Sequence, residues 1–371
     1  MNGVLRKTIG RVVPVLLLGA GGVVATTGSP AAAAAAPGTV LTVSTVTLPS
    51  DVAALATIKR ISYASTNVSG GAITVTGLVI TPKLNRKFKT VAWGHGTTGL
   101  ADKCAPSANK DVFWPEARAA VLELLKRGWT VAAADYPGLG TADPHPYLVG
   151  GSAARTMIDS VKAARNLDSA LSTQYVLDGH SQGGQGALFA GEIAPAYDGN
   201  LVLKGVATIA PVSNVDAIAP EIPGSPNQGY LVMGLYGLSV VDSSVKPLDL
   251  LAAPARAKVG VLQTGCLPQI LEAYAGLTAT QLLNGGALPS SVVAKLARWD
   301  NPAQAPSSAP ILIVQGTLDD AVPVTVTDYL VSQLSQYAQP VQYTKIEGAD
   351  HEQAVYASTV LVANWIAARF G

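Results

Sequence analysis

Gly179-His180-Ser181-Gln182-Gly183 has the residue types and spacing of a nucleophile turn. The residues before it, Gln174-Tyr175-Val176-Leu177-Asp178, read as the end of a strand. Those after it, Gly184-Gln185-Gly186-Ala187-Leu188-Phe189-Ala190, read as the start of a small-residue helix. A serine at a sharp strand-to-helix turn sits in strained backbone, so the positions two before and two after must lack bulk. Such a turn lifts the Ser181 hydroxyl above the sheet and points it at a helix N-terminus, whose free N–H groups favour a developing negative charge. The plain alternative is a glycine-serine loop without chemistry; the flanking strand and helix weigh against it.

A serine hydroxyl at neutral pH needs a histidine to take its proton and an acid to hold that histidine in one tautomer. The chain has four histidines. His180 adjoins Ser181, and neighbours at such a turn point apart. His95 lies in Gly94-His95-Gly96-Thr97-Thr98-Gly99 and His145 in Asp143-Pro144-His145-Pro146. Only His351 follows the last predicted core strand, 341–346, and precedes a final amphipathic helix. The acid is expected after the strand 311–314, in Gln315-Gly316-Thr317-Leu318-Asp319-Asp320-Ala321-Val322-Pro323. Asp319 starts that turn and is preferred, with Asp320 second. Asp350 and Glu352 read as solvated flanks of His351. The order Ser181, Asp319, His351 is that of α/β-hydrolases. Two N–H groups must face the oxyanion, and removing one such donor costs about 3–4 kcal/mol of transition-state stabilisation. The backbone of Gln182 offers one. Thr97, with Gly96 as the alternative, offers the other, unless the His95 loop is only a tight turn. Asp135-Tyr136-Pro137-Gly138-Leu139-Gly140 also follows a strand and reads as a structural turn or as part of the site wall.

The elements that must position these groups are legible as apolar patterns. Residues 72–81 alternate like an antiparallel strand, while 90–93, 129–134, 175–177, 205–210 and 311–314 are short buried strands. Residues 116–127 form an amphipathic helix opened by Pro115 and stopped by Gly128, and 153–171 read as a longer helix. This alternation predicts an α/β fold, a mostly parallel sheet with helices on both faces, whose ligands bind beyond the carboxyl ends of the strands. Residues 213–306 break the alternation with helical patches at 230–236, 248–257, 268–275 and 292–299. So long a segment between core strands reads as an inserted helical cap, flanked by core parts 37–212 and 307–371. Within it, Tyr230, Leu231, Met233, Leu235 and Tyr236 either bind an acyl chain or pack the helix on the core.

The 371 residues are 49% hydrophobic and 13% charged, with a formal charge of +1. That suits one large α/β domain, or one with an insert, and excludes a disordered chain or a nucleic-acid binder. Residues 1–36 read as a signal peptide: Arg6, Lys7 and Arg11, an apolar stretch 12–25, then small-residue cleavage sites at 31–36. Cleavage removes three cations and no acids, leaving −2. An uncleaved anchor is the alternative. A secreted protein is expected, and two cysteines, Cys104 and Cys266, fit an oxidising compartment and one disulfide.

From about residue 45 to the end, the chain resembles the secretory lipase family of α/β-hydrolases, of the capped lipase A type. The resemblance rests on Gly179-His180-Ser181-Gln182-Gly183-Gly184, Cys104-Ala105-Pro106-Ser107, Cys266-Leu267-Pro268-Gln269 and the Gly-x-x-Asp-x-x-Val-Pro turn at Gly316. It implies an α/β-hydrolase fold with a helical lid, a cleaved signal, and hydrolysis of carboxylic esters, often of lipids. It also implies that Cys104 pairs with Cys266, tying the loop beyond the oxyanion site to the cap. His95-Gly96-Thr97-Thr98-Gly99 departs from the fungal members towards general esterases, which leaves the second oxyanion donor and the acyl-length preference open. The expectation is a secreted serine hydrolase acting on a small-molecule or lipid ester. It needs no metal or organic cofactor, makes transient lipid-interface contact and has no obligate protein partner. Competing readings are an aryl, feruloyl or polyester esterase, an envelope acyltransferase, and an inactive surface-binding module, which an intact triad argues against.

Overall fold

Apolar runs too short for helices become the central strands of one sheet. The computed structural model describes Gly3 and residues 34–371. Apart from Gly3 and 34–36, the expected signal peptide lies outside the described residues. The strands are β1 (Val40–Thr45), β2 (Ala56–Thr66), β3 (Ala72–Pro82), β4 (Thr90–Gly94), β5 (Thr130–Ala134), β6 (Gln174–His180), β7 (Val202–Ile209), β8 (Ile311–Gly316) and β9 (Val341–Ile346). Among the described residues they form one nine-stranded sheet in the order β1-β2-β3-β5-β4-β6-β7-β8-β9. The first three pairings are antiparallel and the rest parallel. The sequence patterns named neither β1 nor β2: β1 is an edge strand with Leu41 and Val43 exposed, and in β2 the pair Lys59-Arg60 breaks the alternation.

The longer helices are α1 (Pro115–Lys126), α2 (Gly150–Leu167), α3 (Gln182–Tyr197), α4 (Gln228–Val241), α5 (Leu267–Tyr274), α6 (Ser290–Asp300), α7 (Val324–Leu334) and α8 (Gln353–Phe370). They cover both faces of the sheet, so successive strand residues enter different cores. Val91 and Trp93 pack with α1 and α8, while Ala92, between them, packs with α2 and α3. Helix α2 starts earlier than expected and stops at Leu167. Asp168 turns extended there, and its carboxylate accepts the Ala170 N–H at 3.1 Å, which favours a turn over another helical residue. Helix α2 can approach α3 because Gly150 has no side chain: a Cβ there would lie 1.9 Å from the Phe189 ring.

Between β7 and β8 the chain packs its own apolar cluster, in which Leu231, Met233, Leu235 and Ile270 are joined by Tyr147 and Leu148 from the loop before α2. The expected helix 248–257 is two short pieces, Pro247–Leu250 and Ala253–Arg256. They part at Leu251, which bridges to Leu283. Side chains of α3, buried Gln185 and half-buried Glu192, anchor the base of this segment. Gln185 donates to the carbonyls of Leu148 and Asp300 at 2.8 and 2.6 Å, and Glu192 accepts the Ala303 N–H at 2.7 Å.

Cys104 and Cys266 form a disulfide across 162 residues, and the Leu267 N–H donates to the Thr98 carbonyl at 2.8 Å beside it. The loop after β4 and the start of α5 are therefore stapled together. On the chain-entropy account a loop of this length contributes up to about 5 kcal/mol. Reduction is expected to lower the denaturation midpoint clearly, with thiol titration run in parallel. An unchanged midpoint with both thiols free would show that the bridge adds nothing.

Candidate active site

The turn after β6 is as sharp as the spacing of its glycines requires. Ser181 has φ 57° and ψ −118°, a conformation that costs a non-glycine residue energy and that surrounding structure must hold. Its N–H donates to the Ile209 carbonyl at 2.9 Å, and its own carbonyl accepts from Val212 and Gln185. A Cβ on Gly179 would lie 2.4 Å from the Gly183 oxygen, and one on Gly183 would lie 2.0 Å from the Gly94 oxygen. Both flanking glycines are therefore demanded by contact.

His351 and Asp319 come from loops after β9 and β8, and both are buried. His351 Nδ1 donates to Asp319 Oδ2 at 2.7 Å, which leaves the lone pair on Nε2. Burial opposes a charge on this ring. The Asp319 hydrogen bond and charge, with smaller contributions from Glu352 and Glu116, outweigh it and hold His351 above the ordinary histidine value. The other Asp319 oxygen accepts the N–H groups of Ala321 and Val322 at 3.0 and 2.7 Å. Asp320 is exposed, so the turn presents one carboxylate inward and the next outward. Ser181 and His351 line one cavity. Among the described residues the serine hydroxyl has no hydrogen-bond partner; such contacts often tighten only when substrate binds.

Sequence reasoning missed Gln315. Its amide donates to Asp319 Oδ2 at 2.9 Å and to the Val322 carbonyl at 3.0 Å, and its oxygen accepts from Thr327 at 2.7 Å. It locks the acid's rotamer, and only its place at the end of β8 marks it in the sequence. Gln315→Leu is expected to leave several buried groups unpaired. It should cost about 1–3 kcal/mol of stability and roughly tenfold in kcat/KM as Asp319 loosens. Thermal melts and ester kinetics check both, and wild-type values would remove Gln315 from the support.

The remaining histidines are structural supports. His180 Nε2 donates to the His351 carbonyl at 3.2 Å. Burial, then the His351 charge, holds its pKa well below the usual value. His145 Nδ1 donates to the Pro137 carbonyl at 2.6 Å, so its Nε2 accepts the Gln182 side-chain amide at 3.2 Å. Burial pushes His145 down to about 4, which keeps it a neutral acceptor. Nothing in the sequence hints at this brace on Gln182. The His95 ring packs tilted against Tyr136 with centroids 4.4 Å apart, and the Tyr136 hydroxyl donates to the His95 carbonyl at 2.9 Å. The Asp135 carboxylate is taken up by Thr76 and Ser107. The 135–140 turn thus braces the His95 loop from behind.

That loop lies against Ser181: a Cβ on Gly96 would be 3.7 Å from Ser181 Cβ. Among the described residues, the backbone N–H groups of Thr97 and Gln182 donate to no protein acceptor, while the Thr97 hydroxyl pairs with that of Tyr147 at 2.8 Å. A second cavity of about 230 Å³ also opens at Ser181, walled by Val212, Val215, Ile218, Ile222, Leu231 and Val322. Tyr230 and Leu231 face it. Met233 and Leu235, read either as acyl contacts or as core packing, fill the interior of the inserted segment. Tyr236 lines a different surface groove. The single apolar stretch expected here is a helix, so its residues point to different sides. Glu352 is exposed, as a solvated flank would be, and also borders the cavity beside His351.

Residues 116–371 match the sequence profile of a family described as secretory lipase. Lipase 7 of Candida albicans is 24% identical over 189 residues, 48% of this chain; the match spans 43% of that curated relative, under half its length. Candida antarctica lipase A in its closed state superposes with a TM-score of 0.76 at 20% identity, covering 90% of this chain and 82% of that one. The rice cell wall degrading esterase LipA of Xanthomonas oryzae, in a ligand-bound form, gives 0.72 at 22% identity over 90% and 97%. A putative hydrolase of Legionella pneumophila gives 0.75 at 19% identity over 89% and 98%. The fold shared with these proteins is that of the α/β-hydrolases.

Proposed function

The chain belongs to the secretory lipase family, and from that premise we propose that it is a secreted serine hydrolase of carboxylic esters, lipid esters among them. The observation that carries this reading is the 2.7 Å bond from His351 to Asp319, on the rim of a cavity that the strained Ser181 also lines. In the proposed reaction, Ser181 Oγ attacks the ester carbonyl while His351 Nε2 takes its proton. The carbonyl oxygen becomes an oxyanion, held by the N–H groups of Gln182 and Thr97. Collapse breaks the bond to the alcohol oxygen, which leaves with the proton from His351. Water then repeats the sequence on the acyl-enzyme and releases the acid. Asp319 fixes the ring and offsets its transient charge.

The apolar cavity of about 230 Å³ supports an acyl chain as its occupant. The helical segment between β7 and β8 acts as a cap over it. Among the described residues no helix is long and apolar enough to cross a membrane. A fluorophosphonate probe should label Ser181, and p-nitrophenyl esters of graded chain length should be turned over. Folded wild-type protein that neither labels nor hydrolyses any of them would overturn the reading.

A further inference from the structure

His145 and Tyr147, on either side of Pro146 in the loop before α2, reach the two proposed oxyanion residues separately. The Gln182 side-chain amide donates to His145 Nε2 at 3.2 Å. The Tyr147 and Thr97 hydroxyls pair at 2.8 Å. All four residues are buried. One short piece of chain thus bonds to both residues whose N–H groups are to hold the oxyanion, although they lie 37 and 50 positions from it in sequence.

That piece of chain is itself fixed from two sides. His145 Nδ1 donates to the Pro137 carbonyl at 2.6 Å, and Pro144 and Pro146 restrict the backbone around it. A Cβ on Gly138 would lie 2.3 Å from the His145 nitrogen, so the 135–140 turn sits directly against it. The Tyr147 N–H donates back to the His145 carbonyl at 2.9 Å. On the far side, helix α4 presses on the Tyr147 backbone: a Cβ on Gly237 would lie 2.3 Å from the Tyr147 oxygen. Thr97 is gripped a second time, because its carbonyl accepts the Trp114 indole N–H at 3.1 Å. Gln182 and Thr97 therefore share one frame, which runs from the 135–140 turn to the inserted segment.

We propose that His145 and Tyr147 are the positioning residues of the oxyanion site: His145 aims the Gln182 N–H through the Gln182 side chain, and Tyr147 aims the Thr97 N–H through the Thr97 hydroxyl. This rests on the ester-hydrolase reading and adds the groups that set its donors. A donor serves the reaction only if it already points to where the charge develops. The oxyanion forms both when the acyl-enzyme is made and when water breaks it, so whichever step limits turnover reports a loosened donor. The bound ester carries no such charge. Loss of either bond should therefore lower kcat and leave KM nearly as it was.

The test measures kcat and KM on p-nitrophenyl butyrate, with melting temperatures in parallel. Tyr147→Phe and His145→Phe should each lower kcat about tenfold and keep KM within about twofold. His145→Gln, which can donate to Pro137 and accept from Gln182, should return kcat to within about threefold of wild type. Gln182→Leu cuts the same bond from its other end and should match His145→Phe; it decides that arm where His145→Phe does not fold. Thr97→Val keeps the backbone N–H and removes the hydroxyl. In that background Tyr147→Phe should cost less than about twofold, because the bond it acts through is already gone. Wild-type kcat in Tyr147→Phe, or in both His145→Phe and Gln182→Leu, would overturn the proposal. So would a full tenfold cost of Tyr147→Phe on top of Thr97→Val, or a raised KM with kcat unmoved. Any of these results with an active wild type sinks this inference alone. Wild-type protein that neither turns over the ester nor takes a fluorophosphonate sinks the hydrolase reading with it.

Discussion

Ser181→Ala is expected to lower kcat/KM for p-nitrophenyl butyrate on the order of 10⁶-fold and to leave the melting temperature nearly unchanged. The size follows from losing the nucleophile in a unit whose members act together. What survives is the roughly 10³-fold advantage of bound, oriented substrate and oxyanion donors. The small stability effect follows from the local contacts. The hydroxyl makes no hydrogen bond to any of the described residues, so its removal leaves none of their groups unpaired. The bonds that hold the turn run through the backbone of residue 181 to Ile209, Val212 and Gln185, and alanine keeps them. The cost of φ 57° is the same for alanine as for serine. Ser181→Gly relieves that cost and should be equally inactive but no less stable. Activity within tenfold of wild type in either variant would take Ser181 out of the mechanism.

The parts of the molecule legible in the sequence are those governed by short-range rules. Val91-Ala92-Trp93 and Ile311-Leu312-Ile313-Val314 are apolar without a break because both sheet faces are covered, so their strands stand out in the chain itself. Gly179 and Gly183 are required by contacts within the turn and with the neighbouring strand, and the motif records that requirement. Asp319 and His351 follow strand ends, where this class of sheet presents its ligand-binding groups. The illegible parts are defined by contact between distant segments. Gln182 and His145 meet across 37 residues, and nothing at either position marks the other. Glu116 looks like an ordinary first-turn acid until the fold brings Ser181 and His351 to the same cavity. The five residues of 230–236, read either as acyl contacts or as core packing, looked equivalent by hydrophobicity. Of these five, Tyr230 and Leu231 line the cavity, and that follows from how α4 is seated, which composition does not encode.

Asp319→Asn is expected to lower kcat/KM about 10⁴-fold, while Asp320→Asn stays within about threefold of wild type. The asymmetry lies in what each carboxylate meets. Asp320 is exposed, and its structural contact, acceptance of the Asn227 amide at 2.8 Å, runs through its backbone carbonyl, which asparagine retains. At 319, one oxygen of an asparagine can still accept the Ala321 and Val322 N–H groups, but the other position becomes an NH₂. That group faces His351 Nδ1 and the donating amide of Gln315. His351 is then driven to accept at Nδ1 and carry its proton on Nε2, the wrong tautomer for taking a proton from Ser181. The pH profile gives a second, independent reading. In wild type the Asp319 bond and charge outweigh burial and hold His351 above its ordinary value. The neutral base is therefore populated only as pH climbs through that raised value, and kcat/KM should rise along the same limb. In Asp319→Asn the burial effect is left to dominate, and the limb should move below the ordinary histidine range of about 6.5. A larger rate loss in Asp320→Asn, or an acid limb that stays in place in Asp319→Asn, would show that His351 takes its orientation and its charge balance from another group.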